Sequence, residues 1–146
     1  MNCRCKGNRD AIRKGVRVNG EKIVYCMFCN FGAHKERPST SDGEGELCYE
    51  DDVVVAFETR KKKAKEHYLV IPKRHIKSIM NMSKLSSVTE KKLLLHMLNV
   101  GKKLMKEHEK SSFHFHIPPF NSIDHLHMHC ITPPYTNPLW KLQFSN

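Results

Sequence analysis

The sequence predicts an α+β fold in which about five antiparallel strands pack with one long helix and short helical segments. Three observations predict it: short runs with the composition of strands, one segment with helical periodicity, and hairpin-like connections between the runs. The length of 146 residues suits one domain, or one domain with a tail.

The predicted strands are short runs that alternate apolar with polar residues or are rich in β-branched residues. A short ordered start at Ile23–Cys29 precedes them. Pro133, Pro134 and Pro138 predict an irregular C-terminal segment. The strands themselves are expected at Leu47–Glu50, Val53–Phe57, His67–Ile71, Phe113–Ile117 and in the segment from His125 to Ile131.

One long helix is predicted to begin at Ser87. The segment from Ser87 to Glu90 (Ser-Val-Thr-Glu) matches a capping box, in which two side chains satisfy free amides of the first turn. Apolar residues then recur at helical spacing as far as His108. Lys102 and Lys103 lie in the later turns, where the helix dipole favours positive charge.

The chain carries a formal net charge of +10, which favours an anionic partner such as a nucleotide or a nucleic acid. Residues 1–22 are predicted to be a flexible basic arm ahead of a domain over 23–146, and Arg60–Lys65 is a second basic segment. No apolar stretch approaches the roughly 20 residues that span a bilayer, and no secretory signal is recognisable. We expect a protein of the cytoplasm, the nucleus or both, without a membrane partner.

Three histidines at alternate positions, His125, His127 and His129, form the most informative motif. Successive side chains of a strand point to opposite faces, so these rings share one face while the apolar residues between them face a core. A neutral imidazole is a good nucleophile toward phosphorus when its other nitrogen donates to a fixed acceptor. The residues alone leave open a metal site in the same row. Ser122 could donate a proton to a leaving group or be an ordinary loop serine.

Cys26 and Cys29 form a thiol pair with two residues between them. This spacing suits tetrahedral zinc and also occurs in redox motifs. The sequence holds no second pair of this kind, so a zinc site would need two histidines distant along the chain. With 10 histidines present, spacing alone does not select the two.

The triad resembles the signature of the histidine-triad (HIT) superfamily. Residues 67–76 (His-Tyr-Leu-Val-Ile-Pro-Lys-Arg-His-Ile) are similar to another block of that family, and residues 26–29 to the zinc-binding start of many members. Residues 115–120 (Phe-His-Ile-Pro-Pro-Phe) are similar to the Hint branch, which holds the third histidine triad nucleotide-binding protein and, more distantly, aprataxin. The resemblance covers about residues 24–135 and implies a HIT-like fold.

The resemblance also implies roles for individual residues. His127 matches the nucleophile, which forms a nucleotidyl-histidine intermediate, and His129 matches the contact with the α-phosphate. His67 matches a histidine that supports the triad by hydrogen bonding, and Ser122 matches the residue near the leaving group. One structural zinc ion per chain would be held by Cys26, Cys29, His75 and His125.

By the same resemblance, contacts with a purine nucleotide of the AMP type are expected at Phe57, Glu58, Thr59, Asn121 and His125. Many relatives carry an aspartate after the hairpin strand, where it binds the ribose hydroxyls. Thr59 stands at that position here, and Glu58 could substitute for the aspartate. The basic segment Arg60–Lys65 replaces a short proline-containing loop, which is compatible with longer or more highly phosphorylated substrates.

We therefore expect a hydrolase that cleaves nucleoside 5′-monophosphate conjugates, such as the P–N bond of an adenosine phosphoramidate, through a nucleotidyl-histidine. One alternative is aprataxin-like removal of adenylate from nucleic-acid ends, which the two basic segments motivate. Another is a zinc-stabilised, non-catalytic nucleotide-binding or scaffold protein. Relatives pair through the helix and a sheet edge, so a homodimer is expected.

Overall fold

The computed structural model describes residues 16–19, 22–33, 44–59, 61–82, 87–106 and 108–144. Over these residues the chain forms seven β-strands and three α-helices. In chain order the elements are β1 (Val16–Asn19), β2 (Lys22–Cys26), α1 (Met27–Gly32), β3 (Glu44–Glu50), β4 (Val54–Thr59), β5 (Ala64–Pro72), α2 (Val88–Leu104), β6 (Ser112–Phe115), β7 (Met128–Tyr135) and α3 (Pro138–Phe144).

The predicted α+β fold with a five-stranded antiparallel sheet is confirmed. The strands lie in the order β3-β4-β5-β7-β6, and each neighbouring pair is antiparallel. The strands predicted at 47–50 and 53–57 form a hairpin, β3 and β4. They are joined at a turn where the Asp51 carboxylate accepts hydrogen bonds from the amides of Val53 and Val54, both at 2.8 Å. β1 and β2 form a separate two-stranded sheet, which the sequence patterns did not predict.

The two faces of the sheet pack against different helices, because alternate residues of each strand point to opposite sides. On one face, sheet residues that include Val54, Val70 and Met128 pack with Met97 and Val100 of α2. On the other face, Phe28 of α1 packs in a cluster with Val55, Phe57, Leu69 and Ile71. His67 and His129 emerge on this second face, because they alternate in phase with its apolar residues.

The long helix begins where the sequence predicts but differs at both ends in detail. Ser87 is the N-cap residue, yet its side chain makes no capping hydrogen bond to the described helix, so the Ser87 half of the predicted capping box does not form. The helix ends at Leu104, before the predicted limit of His108. Lys106 follows with φ 49°, a left-handed conformation that stops helical hydrogen bonding.

The C-terminal segment is more regular than its prolines predict. β7 continues through Pro133 and Pro134 as far as Tyr135, and α3 follows it. The pairing of β7 with β6 ends at Ile131, so the two prolines need no amide on that side. On the other side, the register of β5 and β7 shifts near these residues, which accommodates the missing donors.

Part of the predicted basic arm has defined structure, since Val16–Asn19 form β1 and pair with β2. Residues 1–15, 20 and 21 lie outside the described residues, as does Arg60. The flexible arm and the domain boundary at residue 23 therefore stay predictions. Within the described part of the chain, no helix has the length and apolar composition needed to cross a membrane.

Gly101 allows α2 to approach the sheet closely. A Cβ at this position would lie 2.7 Å from Sγ of Cys130 and 2.9 Å from Cε of Met128. Cys130 is fully buried, so its sulfur cannot move into solvent to make room for a new methyl group. We expect Gly101→Ala to lower the free energy of unfolding by about 1–3 kcal/mol through overpacking, although alanine is the better helix former.

Urea denaturation of the two proteins measures this loss. The matched control is Lys102→Ala, at the exposed next position of the same helix, which should change stability by less than about 0.5 kcal/mol. A Gly101→Ala protein as stable as the wild type would contradict the close packing.

Candidate active site

Buried imidazoles meet where β5, β6 and β7 lie side by side. His67 belongs to β5, His127 directly precedes β7, and His129 lies on β7. They expose 2%, 4% and 5% of their surface, respectively. The ring centroids of His127 and His129 are 5.0 Å apart, and those of His67 and His129 are 5.1 Å apart. The structure therefore brings together the three histidines that the resemblance marks as catalytic.

The hydrogen bonds of His127 define which of its nitrogens is bare. Nδ1 donates to the backbone carbonyl of His125 at 2.6 Å, and a carbonyl oxygen can only accept. The proton of the neutral ring therefore lies on Nδ1, and Nε2 keeps its lone pair. Burial is the main reason that the pKa of His127 falls to about 4, although the bond to the carbonyl acts in the opposite direction. The ring is neutral at pH 7, as a nucleophile requires.

A second chain of hydrogen bonds orients His129. The backbone N–H of Lys63 donates to Nδ1 of His67 at 3.2 Å, so the proton of His67 lies on Nε2. That nitrogen donates to Nδ1 of His129 at 2.8 Å, which leaves the proton of His129 on its own Nε2. Burial, followed by the charge of Lys63, lowers the pKa of His67 to about 3. His129 thus offers an N–H donor beside the bare nitrogen of His127.

His116 is a member of the site that sequence reasoning missed. It follows β6, and its ring centroid lies 4.3 Å from that of His129. One nitrogen each from His116, His127 and His129 lies within 4.8 Å of the other two. Burial, with a contribution from Lys63, lowers the pKa of His116 to about 4. The alternation of residues 113–116, which puts two histidines on one face of a strand, was the signal that could have found it.

The loop between β6 and β7 carries Asn121 and Ser122. Asn121 is buried, lines the small cleft beside His127, and donates from Nδ2 to the carboxylate of Asp124 at 2.7 Å. Ser122 is exposed, and the cleft beside His127 is lined by its neighbours Asn121 and Ile123 instead. The role of Ser122 near a leaving group stays a prediction.

The predicted nucleotide contacts on β4 lie in different environments. Phe57 is fully buried against Phe28 and Phe31, with ring centroids 5.8 Å and 4.5 Å away, so we assign it to the core. The carboxylate of Glu58 forms an ion pair with Nζ of Lys62 at 2.6 Å. Thr59 ends the strand and is half-buried. Neither Glu58 nor Thr59 belongs to the group of residues formed around the buried histidines. Contact of either residue with ribose stays a prediction.

A second cluster brings together the four residues that the resemblance marks as metal ligands. Sγ of Cys26 lies 3.3 Å from Nδ1 of His125, and Sγ of Cys29 lies 3.4 Å from Nδ1 of His75 and 3.5 Å from Nδ1 of His125. All four ligand atoms lie within 4.8 Å of one another, so the cluster could hold a metal ion. A hydrogen bond from the Cys29 thiol is the main cause that lowers the pKa of Cys26, which favours the thiolate that a metal binds.

His125 connects this cluster to the nucleophile. Its Nε2 donates to the carbonyl of Pro72 at 2.9 Å, which leaves Nδ1 bare and facing the thiols. Its own carbonyl is the acceptor that holds His127. Both ring nitrogens of His125 are thus engaged, so the geometry favours the metal cluster over the predicted contact with substrate.

A family model matches the part of the chain that holds the buried histidines and the Cys/His cluster. The family described as "Scavenger mRNA decapping enzyme C-term binding" matches residues 25–143. This match includes the hairpin, both histidine clusters and most of α3.

Among curated proteins, the chain is 40% identical over 119 residues to the bifunctional adenosine 5′-phosphosulfate phosphorylase/adenylylsulfatase HINT4 of Arabidopsis thaliana, covering 80% of this chain and 75% of that protein. It is 36% identical over 114 residues to adenosine 5′-monophosphoramidase HINT3 of Mus musculus, covering 74% and 63%. Aprataxin of Ciona intestinalis is 31% identical over 96 residues, which cover 63% of this chain and 24% of that protein.

Among solved structures, a HIT family hydrolase from Legionella pneumophila Philadelphia 1 superposes with a TM-score of 0.63 at 22% identity. The superposition covers 77% of this chain and 96% of that one. At this identity the likeness shows the shared fold.

The tautomers derived above can be measured directly. Long-range ¹⁵N–¹H NMR at pH 7 should show the proton of His127 on Nδ1, and those of His67 and His129 on Nε2. Because the pKa of His127 lies at about 4, its ring should stay neutral as the pH falls to 5. An unperturbed imidazole titrates at about 6.5. Protonation of His127 near that value would contradict the buried, neutral ring.

The same shift predicts the sign of the pH dependence of folding. The unfolded chain takes up the proton near its ordinary pKa of about 6.5, before the folded protein does. The contribution of His127 to stability is therefore present above that pH and lost as the pH falls toward about 4.

Proposed function

The chain belongs to the histidine-triad superfamily, and from this membership we propose that it hydrolyses nucleoside 5′-monophosphate conjugates, with adenosine phosphoramidates as model substrates. Its curated relatives are named for activities on adenosine 5′-phosphoryl compounds, HINT3 as an adenosine 5′-monophosphoramidase and HINT4 as an adenosine 5′-phosphosulfate phosphorylase/adenylylsulfatase. The observation that carries the proposal is the bare Nε2 of His127. The hydrogen bond to the His125 carbonyl puts the ring proton on Nδ1, and burial keeps the ring uncharged at neutral pH.

In the proposed reaction, Nε2 of His127 attacks the α-phosphorus as the bond to the leaving group breaks. The leaving amine departs with the electron pair of the P–N bond and takes up a proton. The nucleotide is then joined to His127 through a new P–N bond. Water attacks this intermediate, releases the nucleoside monophosphate and restores the neutral ring.

His129 and His67 support this step by orientation and electrostatics. The N–H that the hydrogen-bond chain leaves on His129 is aimed to stabilise the charge that develops on the α-phosphate oxygens. His67 acts through His129, because both of its nitrogens are engaged, by Lys63 and by His129. His67 is therefore a positioning residue. We propose that Ser122 donates the proton to the leaving group.

The names of the relatives support the proposal that the substrate contains an adenylate group. HINT3 is named for adenosine 5′-monophosphoramidate, and HINT4 for adenosine 5′-phosphosulfate. These compounds share the adenosine 5′-phosphoryl group and differ in the group that leaves. We propose that this chain likewise takes an adenosine 5′-phosphoryl group and transfers it to water.

We further propose that the Cys/His cluster holds one structural zinc ion. Tetrahedral zinc with Zn–S of about 2.3 Å and Zn–N of about 2.0–2.1 Å places neighbouring sulfur and nitrogen ligands about 3.5 Å apart. The three sulfur-to-nitrogen distances of 3.3, 3.4 and 3.5 Å fit that geometry. Two thiols with two imidazoles are also a donor set that zinc prefers. A metal there would fix His125 and, through its carbonyl, the ring of His127.

Removal of adenylate from nucleic-acid ends is the second candidate function. This candidate is supported by Lys63, which lies in the middle of the described basic residues 61–65 and donates from its backbone N–H to His67, and by the similarity to aprataxin. Turnover of an adenylated oligonucleotide that falls steeply with added salt would favour this function over small conjugates. A non-catalytic scaffold is disfavoured by the complete nucleophile geometry.

We also propose that two copies pair through α2 and a sheet edge. Exposed apolar side chains on α2, Val88 at 66% and Leu95 at 58%, supply apolar surface for such an interface. β3 and β6 are the outer strands of the described sheet, so each offers an edge. The cytoplasmic or nuclear location stays a prediction.

The nucleophile can be tested by substitution. We expect His127→Asn to keep the fold, because asparagine retains polarity at a smaller volume. Its turnover of adenosine phosphoramidate should fall by about 10⁴-fold or more, as loss of a nucleophile does elsewhere. The measurement is steady-state release of AMP, together with circular dichroism and acid-quench trapping of a nucleotidyl-protein in the wild type.

The matched control is His108→Asn, an exposed histidine away from the cluster, which should keep the wild-type rate within about twofold. A His127→Asn protein that released AMP at a near wild-type rate would exclude His127 as the nucleophile.

The metal can be tested by elemental analysis. The purified protein should contain about one zinc ion per chain. Cys29→Ser should lose most of it and unfold at a lower temperature, because a structural metal contributes to folding free energy. Cys48→Ser, which changes an exposed cysteine outside the cluster, should keep both the zinc content and the melting temperature. Zinc-free wild-type protein with two titratable thiols at positions 26 and 29 would reject the site.

A further inference from the structure

Lys63 is held at the active site by its own backbone. Its N–H donates to Nδ1 of His67 at 3.2 Å, and its carbonyl accepts from the N–H of Thr136 at 2.9 Å. Its Nζ lies 4.4 Å from the centre of the Trp140 ring, so the ammonium group makes a cation–π contact with α3. Lys63 is half-buried, whereas Lys61 and Lys65 on either side are exposed.

The charge of this lysine acts on the whole row of imidazoles. It contributes to the lowered pKa values of His67, His116 and His127, and to that of His129. The backbone N–H of Lys63 contacts His67, the first ring of that row, so a charged group of a substrate bound on the row would lie in the field of the same ammonium group. Burial lowers the pKa of Lys63 itself, which an anion bound beside it would counteract.

We propose that Lys63 is a specificity-determining residue that favours substrates whose leaving group is a tetrahedral oxyanion, a sulfate or a phosphate joined to the α-phosphorus. The inference rests on the proposed nucleotidyl transfer to His127 and adds the class of leaving group to it. It draws on the fixed backbone of Lys63, its packing on Trp140 and its place beside His67.

The chemistry of the two kinds of leaving group explains why a cation should discriminate between them. When His127 attacks adenosine 5′-phosphosulfate, the bond between phosphorus and the oxygen that bridges to sulfur breaks. The electron pair of this bond leaves with the sulfate, which needs no proton. The departing oxygen gains negative charge, and the ammonium group of Lys63 can stabilise it. An amine leaving group must instead take up a proton, and a nearby positive charge gives it no comparable help.

The test compares two substrates in wild-type protein and in Lys63→Gln. One substrate is adenosine 5′-phosphosulfate, and the other is an adenosine 5′-phosphoramidate with an uncharged amine. We expect Lys63→Gln to lower kcat/KM for the phosphosulfate about tenfold to a hundredfold, the range for loss of one charge-assisted contact. The phosphoramidate should change by less than about threefold. ADP as a third substrate tells whether phosphate is favoured in the same way as sulfate.

The matched control is Lys65→Gln, which removes the same charge two residues away from an exposed position and should leave the ratio of the two kcat/KM values unchanged within about twofold. Lys63→Arg should keep most of the preference, because the charge remains. Lys63→Met keeps the aliphatic packing on Trp140, and it takes the place of Lys63→Gln if that protein does not fold.

The outcomes separate this inference from the proposed function. Equal losses on both substrates, or equal effects of Lys63→Gln and Lys65→Gln, overturn the role of Lys63 in choosing the leaving group while leaving His127 as the nucleophile. Wild-type protein that turns over none of the three substrates overturns the proposed function itself.

Discussion

The hydrogen bond from Nδ1 of His127 to the carbonyl of His125 is the interaction on which the site depends. It is 2.6 Å long and buried, and a carbonyl accepts from only one of the two tautomers of a neutral ring. The position and the direction of the bare nitrogen follow from this contact. The lack of charge follows from burial, which lowers the pKa of the ring against the effect of the carbonyl and keeps the lone pair available at neutral pH.

The acceptor of that bond is itself held from two sides. The ring of His125 is fixed by the carbonyl of Pro72 and by the thiols of the Cys/His cluster. The next residue, Leu126, donates from its amide to the carbonyl of Ile76. The cluster near the start of the domain and the nucleophile near its end are thus parts of one rigid arrangement, although they are separated by about 100 residues of sequence. A metal ion held by the Cys/His cluster would therefore help to fix the position of His127.

Hydrogen bonds between the rings and to the backbone stabilise part of the row of buried imidazoles. A polar group removed from water without a partner costs several times RT, so each such bond offsets part of the cost of burying the rings. Here the backbone of Lys63, the ring of His67 and the ring of His129 form a directed chain. The direction of the chain leaves an N–H on His129, and the His125 carbonyl leaves a lone pair on the neighbouring His127. Attack on an anionic phosphorus centre requires that pairing.

The sequence by itself determined the fold class, the alternation that places His127 and His129 on one face, and the beginning of the long helix. These features depend on local periodicity, which strands and helices express whatever their surroundings. The resemblance added the choice of His75 and His125 as partners of Cys26 and Cys29. Spacing alone could not make that choice among 10 histidines. The regular course of β7 through Pro133 and Pro134 was not predicted, because it depends on where the neighbouring strands end.

Tertiary structure alone decided the rest. His116 lies beside His129, and Phe57 is buried in the core. Both ring nitrogens of His125 have partners, and Nζ of Lys63 lies over the ring of Trp140. Each of these depends on contacts between residues far apart in the chain, and the order β3-β4-β5-β7-β6 creates those contacts. A local pattern states which face a side chain takes, whereas its partners, its burial and hence its pKa are set only when the strands come together.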